Sequence, residues 1–161
     1  MYDLWVVSSE QHEVMGKVEL RFISVDTGMP VRDSIVRENV RIAPNGTTNI
    51  VVGGVIDHVA NPEPHVLAAR LWIRDQIISR DTDWPQPLKY LDFSNRGLEV
   101  KMVDQHTLAV SVDRPLKCLV FEERDGVILD DNALDVVPAD EQMVHVSELG
   151  SKPLSWKFLG Q

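Results

Sequence analysis

The chain has 161 residues and a mass of 18.2 kDa, room for one large domain or two small ones. A formal charge of −9 and a pI near 4.9 leave no concentrated basic face to neutralise phosphates, which argues against a nucleic-acid partner. The hydrophobic fraction of 43% is ordinary for a globular protein, and no run approaches the length of a membrane span, so a membrane is not an expected partner either.

Tyr2–Ser8, YDLWVVS, is short, apolar and rich in strand formers. The opening MYDLWVVSSEQHE has no charged stretch followed by a long apolar core, so it does not read as a signal peptide. Because Met1 precedes what looks like a strand already under way, the chain is expected to have been cut from something longer. The compartment is left open by the sequence, with an intracellular setting favoured over a secreted one. Gly16–Val25 alternates with period two: Val18, Leu20 and Phe22 point one way and Lys17, Glu19 and Arg21 the other, as in a half-buried strand. The phase changes near Phe22–Ile23, where a bulge is expected, and Thr27–Pro30 turns the chain. Ile35–Ile42 repeats the pattern, with Val36, Val40 and Ile42 on the apolar side. Pro44-Asn45-Gly46 follows, and Asn-Gly between two strand-like runs predicts a hairpin whose return strand is Asn49–Val52. Gly53-Gly54 marks a bend, Asn61–Pro64 a loop, and Val66–Ile73 with Gln76–Ser79 a further hairpin turning at Arg74-Asp75.

At mid-chain stands Arg80–Phe93, RDTDWPQPLKYLDF. Pro85 and Pro87 cannot donate ladder hydrogen bonds, and each pushes its preceding residue toward extended geometry. The segment should therefore be neither helix nor central strand. Its large apolar groups still seek burial, so it reads as a stiff connector packed between two units, with Trp84, Pro85, Pro87, Leu88, Tyr90 and Phe93 as candidate domain-interface residues. Beyond it, Gly97–Val103, Thr107–Asp113, Leu116–Glu123, Asp130–Val137 and Gln142–Val146 read as strands, followed by an alternating Leu154, Trp156 and Phe158. Gln105-His106, Arg114-Pro115 and Asp125-Gly126 punctuate them. Short strands at this spacing describe antiparallel sandwiches. The fold class expected is all-β, two consecutive sandwiches at residues 1–85 and 86–161, the second small enough to be marginal alone.

As an enzyme the chain looks empty, and no catalytic residue, metal ligand or cofactor-binding residue is assigned. Asp81 and Asp83 flank Thr82, and Asp130, Asp131 and Asp135 cluster around Asn132. A glycosidase acid–base pair needs a cleft and a set separation, whereas these acids sit at strand ends and turns, where Asp and Asn bond local backbone. Turn chemistry is preferred to a calcium site, since the ligand rhythm of an EF-hand loop is missing. His12, His58, His65, His106 and His145 form no metal motif, and the phosphate-cradling and nucleophile-elbow patterns are missing too. Cys118 is the one cysteine; it lies in an apolar run and reads as a core thiol. Trp5, Trp72 and Trp156 lie in alternating strands and are assigned to cores. Trp84 is read as an interdomain wedge, with an exposed platform for a sugar ring as the alternative. Asn45-Gly46-Thr47 is a formal glycosylation sequon, though the turn explains the same residues, and Asn45 is a candidate only in a secreted parent.

RDTDWPQPLKYLDF closely resembles a segment near the C-terminal end of fungal β-mannosidases, glycoside hydrolases of family 2. DDNALDVVPADEQMVHV, residues 130–146, is similar to that family's last immunoglobulin-like domain, with Ala133, Val136-Val137 and Ala139-Asp140 as departures. YDLWVVSSEQHEVMGKVELRFIS is similar to the opening of the domain before it. The resemblance implies immunoglobulin-like domains at 1–85 (carbohydrate-binding-module-like) and 86–161, and a parent that removes terminal β-linked mannose with retention through two glutamates of a (β/α)8 barrel. No barrel residue is present, so no catalytic role transfers. The implied function is non-catalytic support of the catalytic barrel of the same parent chain, with no cofactor. The alternatives are a carbohydrate-binding module holding a manno-oligosaccharide and an isolated protein-interaction module.

Overall fold

The computed structural model describes residues 1–57, 62–150 and 152–161. His58 and Asn61, and with Asn61 the start of the expected loop at 61–64, lie outside the described residues. Regular structure among the described residues is twelve strands and one short 3-10 turn, so the fold is all-β. The chain forms two compact units. One comprises Met1–Phe22 with Pro30–Pro85, and the other Ile23–Met29 with Gln86–Gln161.

The first unit contains β1 (Tyr2–Ser8), β2 (Val14–Ser24, whose last two residues pass into the second unit), β3 (Ile35–Ile42), β4 (Gly46–Gly54), β5 (His65–Ile73) and β6 (Gln76–Asp83). β1 pairs antiparallel with β4, and the other four form a sheet in the order β3-β2-β5-β6. Alternation along β2 puts Val18, Leu20 and Phe22 in the core at 1–3% exposure, with Ile42, Leu67 and Leu71 beside them and Tyr2, Leu4 and Val6 packed against them from β1. A bulge is present in β3, facing the first half of β2. Gly16 opposes Val40 and Val18 opposes Arg37, so β3 carries one extra residue there, and Asn39 takes a left-handed φ of 53°. That extra residue flips the parity of β3, which leaves Ile35 against the core and Val36 40% exposed. Where the change of phase is expected, Ile23, Ser24 and Val25 are all buried, and they belong to the second unit.

The Asn-Gly turn is present, with Asn45 at φ 44°, but no β3–β4 hairpin forms. β4 pairs with β1, from Trp5↔Asn49 to Ser8↔Gly46, and the turn carries the chain from one sheet to the other. Asn45 N–H donates to the Glu10 carbonyl and Ala43 N–H to Thr48 Oγ1, both at 2.9 Å, in place of ladder bonds. Crossing sheets lets Ile42 and Ile50 face one core from opposite sides. The β5–β6 hairpin forms as expected, with left-handed Arg74 (φ 50°) and Asp75 (φ 63°) making the twist-matched two-residue turn. Its second strand runs to Asp83, so residues 80–83 are sheet edge rather than connector. Past Pro85 and Pro87 the chain makes a 3-10 turn at Leu88–Tyr90, contrary to the expectation of no helix; Pro87 at φ −59° presets its entry.

The second unit contains β7 (Glu99–Asp104), β8 (Thr107–Ser111), β9 (Leu116–Phe121), β10 (Leu134–Val136), β11 (Gln142–His145) and β12 (Trp156–Lys157). Its sheets run β11-β8-β7 and β10-β9-β12. Val110, Leu116, Leu119, Phe121, Val136 and Val144 are fully buried between them, and Trp156 meets Phe121 edge to face at 6.3 Å. β9 is bulged: Leu116 opposes Val136 and Leu119 opposes Leu134, with Cys118 at φ 56°. Cys118 is therefore exposed, not a core thiol, because the bulge turns Leu116 and Leu119 inward and spares the residues between them. The strand expected over 130–137 shortens to three residues, since Ala133 at φ 59° interrupts extended geometry.

Arg96 and Asp113 hold Ile23–Met29 in this unit. Buried Arg96 donates from Nη1 to the Val25 carbonyl at 2.7 Å. Gly28, at φ 74°, lies so close to the Asp113 carbonyl that a Cβ would come within 2.0 Å of its oxygen.

Candidate functional site

The acidic clusters serve the backbone. Asp130 accepts the His145 N–H at 2.7 Å, and Asn132 accepts the Phe121 N–H at 2.8 Å and donates to its carbonyl at 3.1 Å. Asp135 accepts the Cys118 N–H and the Lys117 ammonium, each at 2.9 Å. These bonds span up to eighteen residues and include those of Asp135 within β10, so the cluster links strands at long range as well as serving turns. Three exposed carboxyls are held below their ordinary range: Asp92 by the backbone and hydroxyl of Ser94, Asp104 by the His106 N–H, and Glu122 by the Ser155 hydroxyl and Lys157. A general acid working near neutral pH needs the opposite shift. Among the described residues, no group of three or more His, Cys, Asp or Glu side chains is placed to hold a metal ion. His65 is buried and bonded to the Glu63 carbonyl, His106 binds the Ser147 carbonyl, and exposed His145 pairs with Asp130.

The residues singled out from the sequence are scattered. Asn45 is exposed at the tip of its turn. In the connector Trp84 and Leu88 are half-buried, Pro85 and Pro87 exposed and Phe93 buried, while Tyr90, expected to bury itself, is 74% exposed with Lys89 over its ring at 4.7 Å.

The tryptophans separate by what covers them. On the outer face of the four-stranded sheet, Arg70 lies 4.7 Å and Lys17 5.5 Å from the Trp72 ring, and Arg70 is fixed by a 2.6 Å bond to Glu19. Trp156 packs on Phe121. Trp5 is 55% exposed and is not a core residue. Its strand alternates with Tyr2, Leu4 and Val6 inward, which leaves Asp3, Trp5 and Val7 outward. Asp3 on the same parity was the signal for this, outweighed by the size of the indole.

β1 is one strand of its two-stranded sheet, and β6 is an edge of the facing sheet. Two cavities lie along these strands, of about 510 and 440 Å3. Both are lined by Leu4, Trp5, Ala69 and Asp81, so they meet as one trough with Trp5 and Asp81 at its waist. Asp83 and Thr82 line one arm, Ser79 and Arg80 the other.

The two units, built of antiparallel sheets with the cluster at Asp130–Asp135 bonded to neighbouring backbone, define the class as an all-β sandwich protein. Residues 1–90 match the Mannosidase Ig/CBM-like domain, and the chain belongs to that family. It is 60% identical over 165 residues to β-mannosidase B of Aspergillus niger and 58% identical over 166 to that of Aspergillus fumigatus. Each match covers 99% of this chain, which spans a fifth (20%) of the length of those relatives. Among solved structures, the β-D-mannosidase of Dictyoglomus thermophilum superposes with a TM-score of 0.76 at 12% identity, over 98% of this chain and 20% of that one. The exo-chitosanase of Amycolatopsis orientalis gives 0.65 at 14%, over 97% and 24%. These two likenesses show the fold.

Proposed function

We propose that this chain is the non-catalytic accessory region of a β-mannosidase, supporting a catalytic (β/α)8 barrel contributed by another part of the same parent. The parent reaction is hydrolysis of terminal non-reducing β-D-mannose residues. The observation that carries this reading is identity near 58% sustained along 99% of the chain, within proteins about five times longer. In this reading residues 1–85 and 86–161 are its two domains, with Ile23–Met29 counted in the second; Pro85 and Pro87 stiffen the connector, and Trp84, Pro85, Pro87, Leu88, Tyr90 and Phe93 are its domain-interface residues. The test is made in the parent enzyme and in the isolated chain, using p-nitrophenyl β-D-mannopyranoside. The isolated chain should release no nitrophenol, and a parent lacking this region should lose thermal stability and turnover together. A truncated parent with unchanged Tm and kcat, or hydrolysis by the isolated chain, would overturn the proposal.

A further inference from the structure

We propose that the trough between β1 and β6 is an oligosaccharide-binding site with Trp5 as its stacking platform. This goes beyond support of a barrel and does not rest on it.

Trp72 is covered by two cations and Trp156 by a phenyl ring, but among the described residues no ring or cation is placed against Trp5. Its indole is more than half exposed at the midpoint of an edge-to-edge groove. A pyranose offers one face of C–H bonds and a rim of hydroxyls, so it needs an aromatic plane with acceptors close by. Asp81, at the same waist, supplies a carboxylate; its Oδ1 already accepts the Thr82 N–H, which holds the group in place. Asp83 and Thr82 extend the polar wall along one arm, and Leu4 and Ala69 supply apolar lining to both. Each arm has the size of a small-ligand site, about 300–1,000 Å3. Two such arms meeting at one aromatic suit consecutive residues of a glycan chain, rather than a single terminal sugar. The ligand class is thus a neutral, extended oligosaccharide. A peptide strand would find the unpaired edge of β1 but would have no particular use for the Asp81–Trp5 pairing.

The probe is β-1,4-mannohexaose, with cellohexaose and maltohexaose as comparators, titrated into the 161-residue chain and followed by indole fluorescence and calorimetry. Saturable binding of one hexasaccharide is expected. Trp5→Ala should weaken it by about tenfold or more, Trp5→Phe should retain part of it, and Trp84→Phe should leave it unchanged. Asp81→Asn should weaken binding with the circular dichroism spectrum unaltered. Because Trp5 is largely exposed, its variants should melt with the parent chain, and Trp5→Phe guards against a folding defect. Flat titrations with all three sugars would overturn the proposal, as would full affinity in Trp5→Ala or loss of binding on Trp84→Phe.

Discussion

At Arg96, a guanidinium only 3% exposed is surrounded by carbonyl oxygens rather than by a carboxylate. Nη1 reaches Val25 at 2.7 Å and Pro115 at 3.2 Å, while Nε and Nη2 both reach Ser94, at 3.0 and 2.9 Å. Burial lowers its pKa, with Arg114 adding to the effect and Asp92 opposing it, but an arginine so placed stays charged at any physiological pH. The fork geometry matters more than the charge, because three carbonyls from separate stretches of chain share one planar donor. Arg96→Ala takes this donor from the buried Val25 and Pro115 carbonyls and should cost about 3 kcal/mol, or about 9 °C in Tm. Arg96→Lys keeps the charge without the fork and should recover only part of that. Thermal melts of the two variants beside the parent chain check it; a Tm for Arg96→Lys equal to that of the unsubstituted protein would show that charge alone suffices.

Among the elements, the β5–β6 turn has the twist a two-residue hairpin wants but not its preferred residues. Arg74 and Asp75 both occupy left-handed space, at φ 50° and 63°. Asn then Gly is the pair that occupies it with least strain. Arg74→Asn with Asp75→Gly should stabilise the chain by about 1 kcal/mol, about 3 °C in Tm, and leave the register of Ile73 opposite Gln76 unchanged. A drop in Tm would mean that Arg74 or Asp75 contributes more through its side chain than it loses in backbone strain. Most strands were legible because a residue pattern of period two is a direct image of a sheet with one wet face. β2 shows it cleanly from Gly16 to Phe22. Bulges were not legible. One left-handed residue, Asn39 or Cys118, reverses parity without leaving a mark in composition, so Val36 and Cys118 were assigned to the wrong face. Strand partners were hidden for a related reason. Asn45-Gly46 announces a turn, but whether the next strand pairs back or crosses to the facing sheet depends on which apolar rows must meet. The trough was missed outright, since Trp5 and Asp81 are brought together only by the two sheet edges.

For the molecule as a whole, the division of the chain into two units is not serial. Ile23–Met29 lies within the sequence of the first sandwich and belongs to the second. Ile23, Ser24 and Val25 are 0–3% exposed, which is deeper than most of the strands around them. Without that segment, Arg96 loses the nearest of its acceptors and the Asp113 carbonyl loses the glycine packed on it. The buried side chains of Ile23 and Val25 also go, at roughly 1.5–3 kcal/mol each. A unit of this size has a net stability of only about 5 kcal/mol, so the deficit is comparable to the whole. The fragment Gln86–Gln161 should therefore be poorly folded by itself, although a strand pattern drawn from the sequence alone would cut the chain there. A synthetic peptide covering residues 20–31 should restore it in part, by binding as the missing segment. Amide dispersion in heteronuclear NMR spectra of the fragment, with and without peptide, reads this directly, and a peptide carrying Gly28→Ala serves as the control. That variant places a Cβ on the Asp113 carbonyl and should fail to rescue. A well-dispersed spectrum from the fragment alone would show instead that the second sandwich closes without its borrowed strand end, and that Arg96 finds another acceptor.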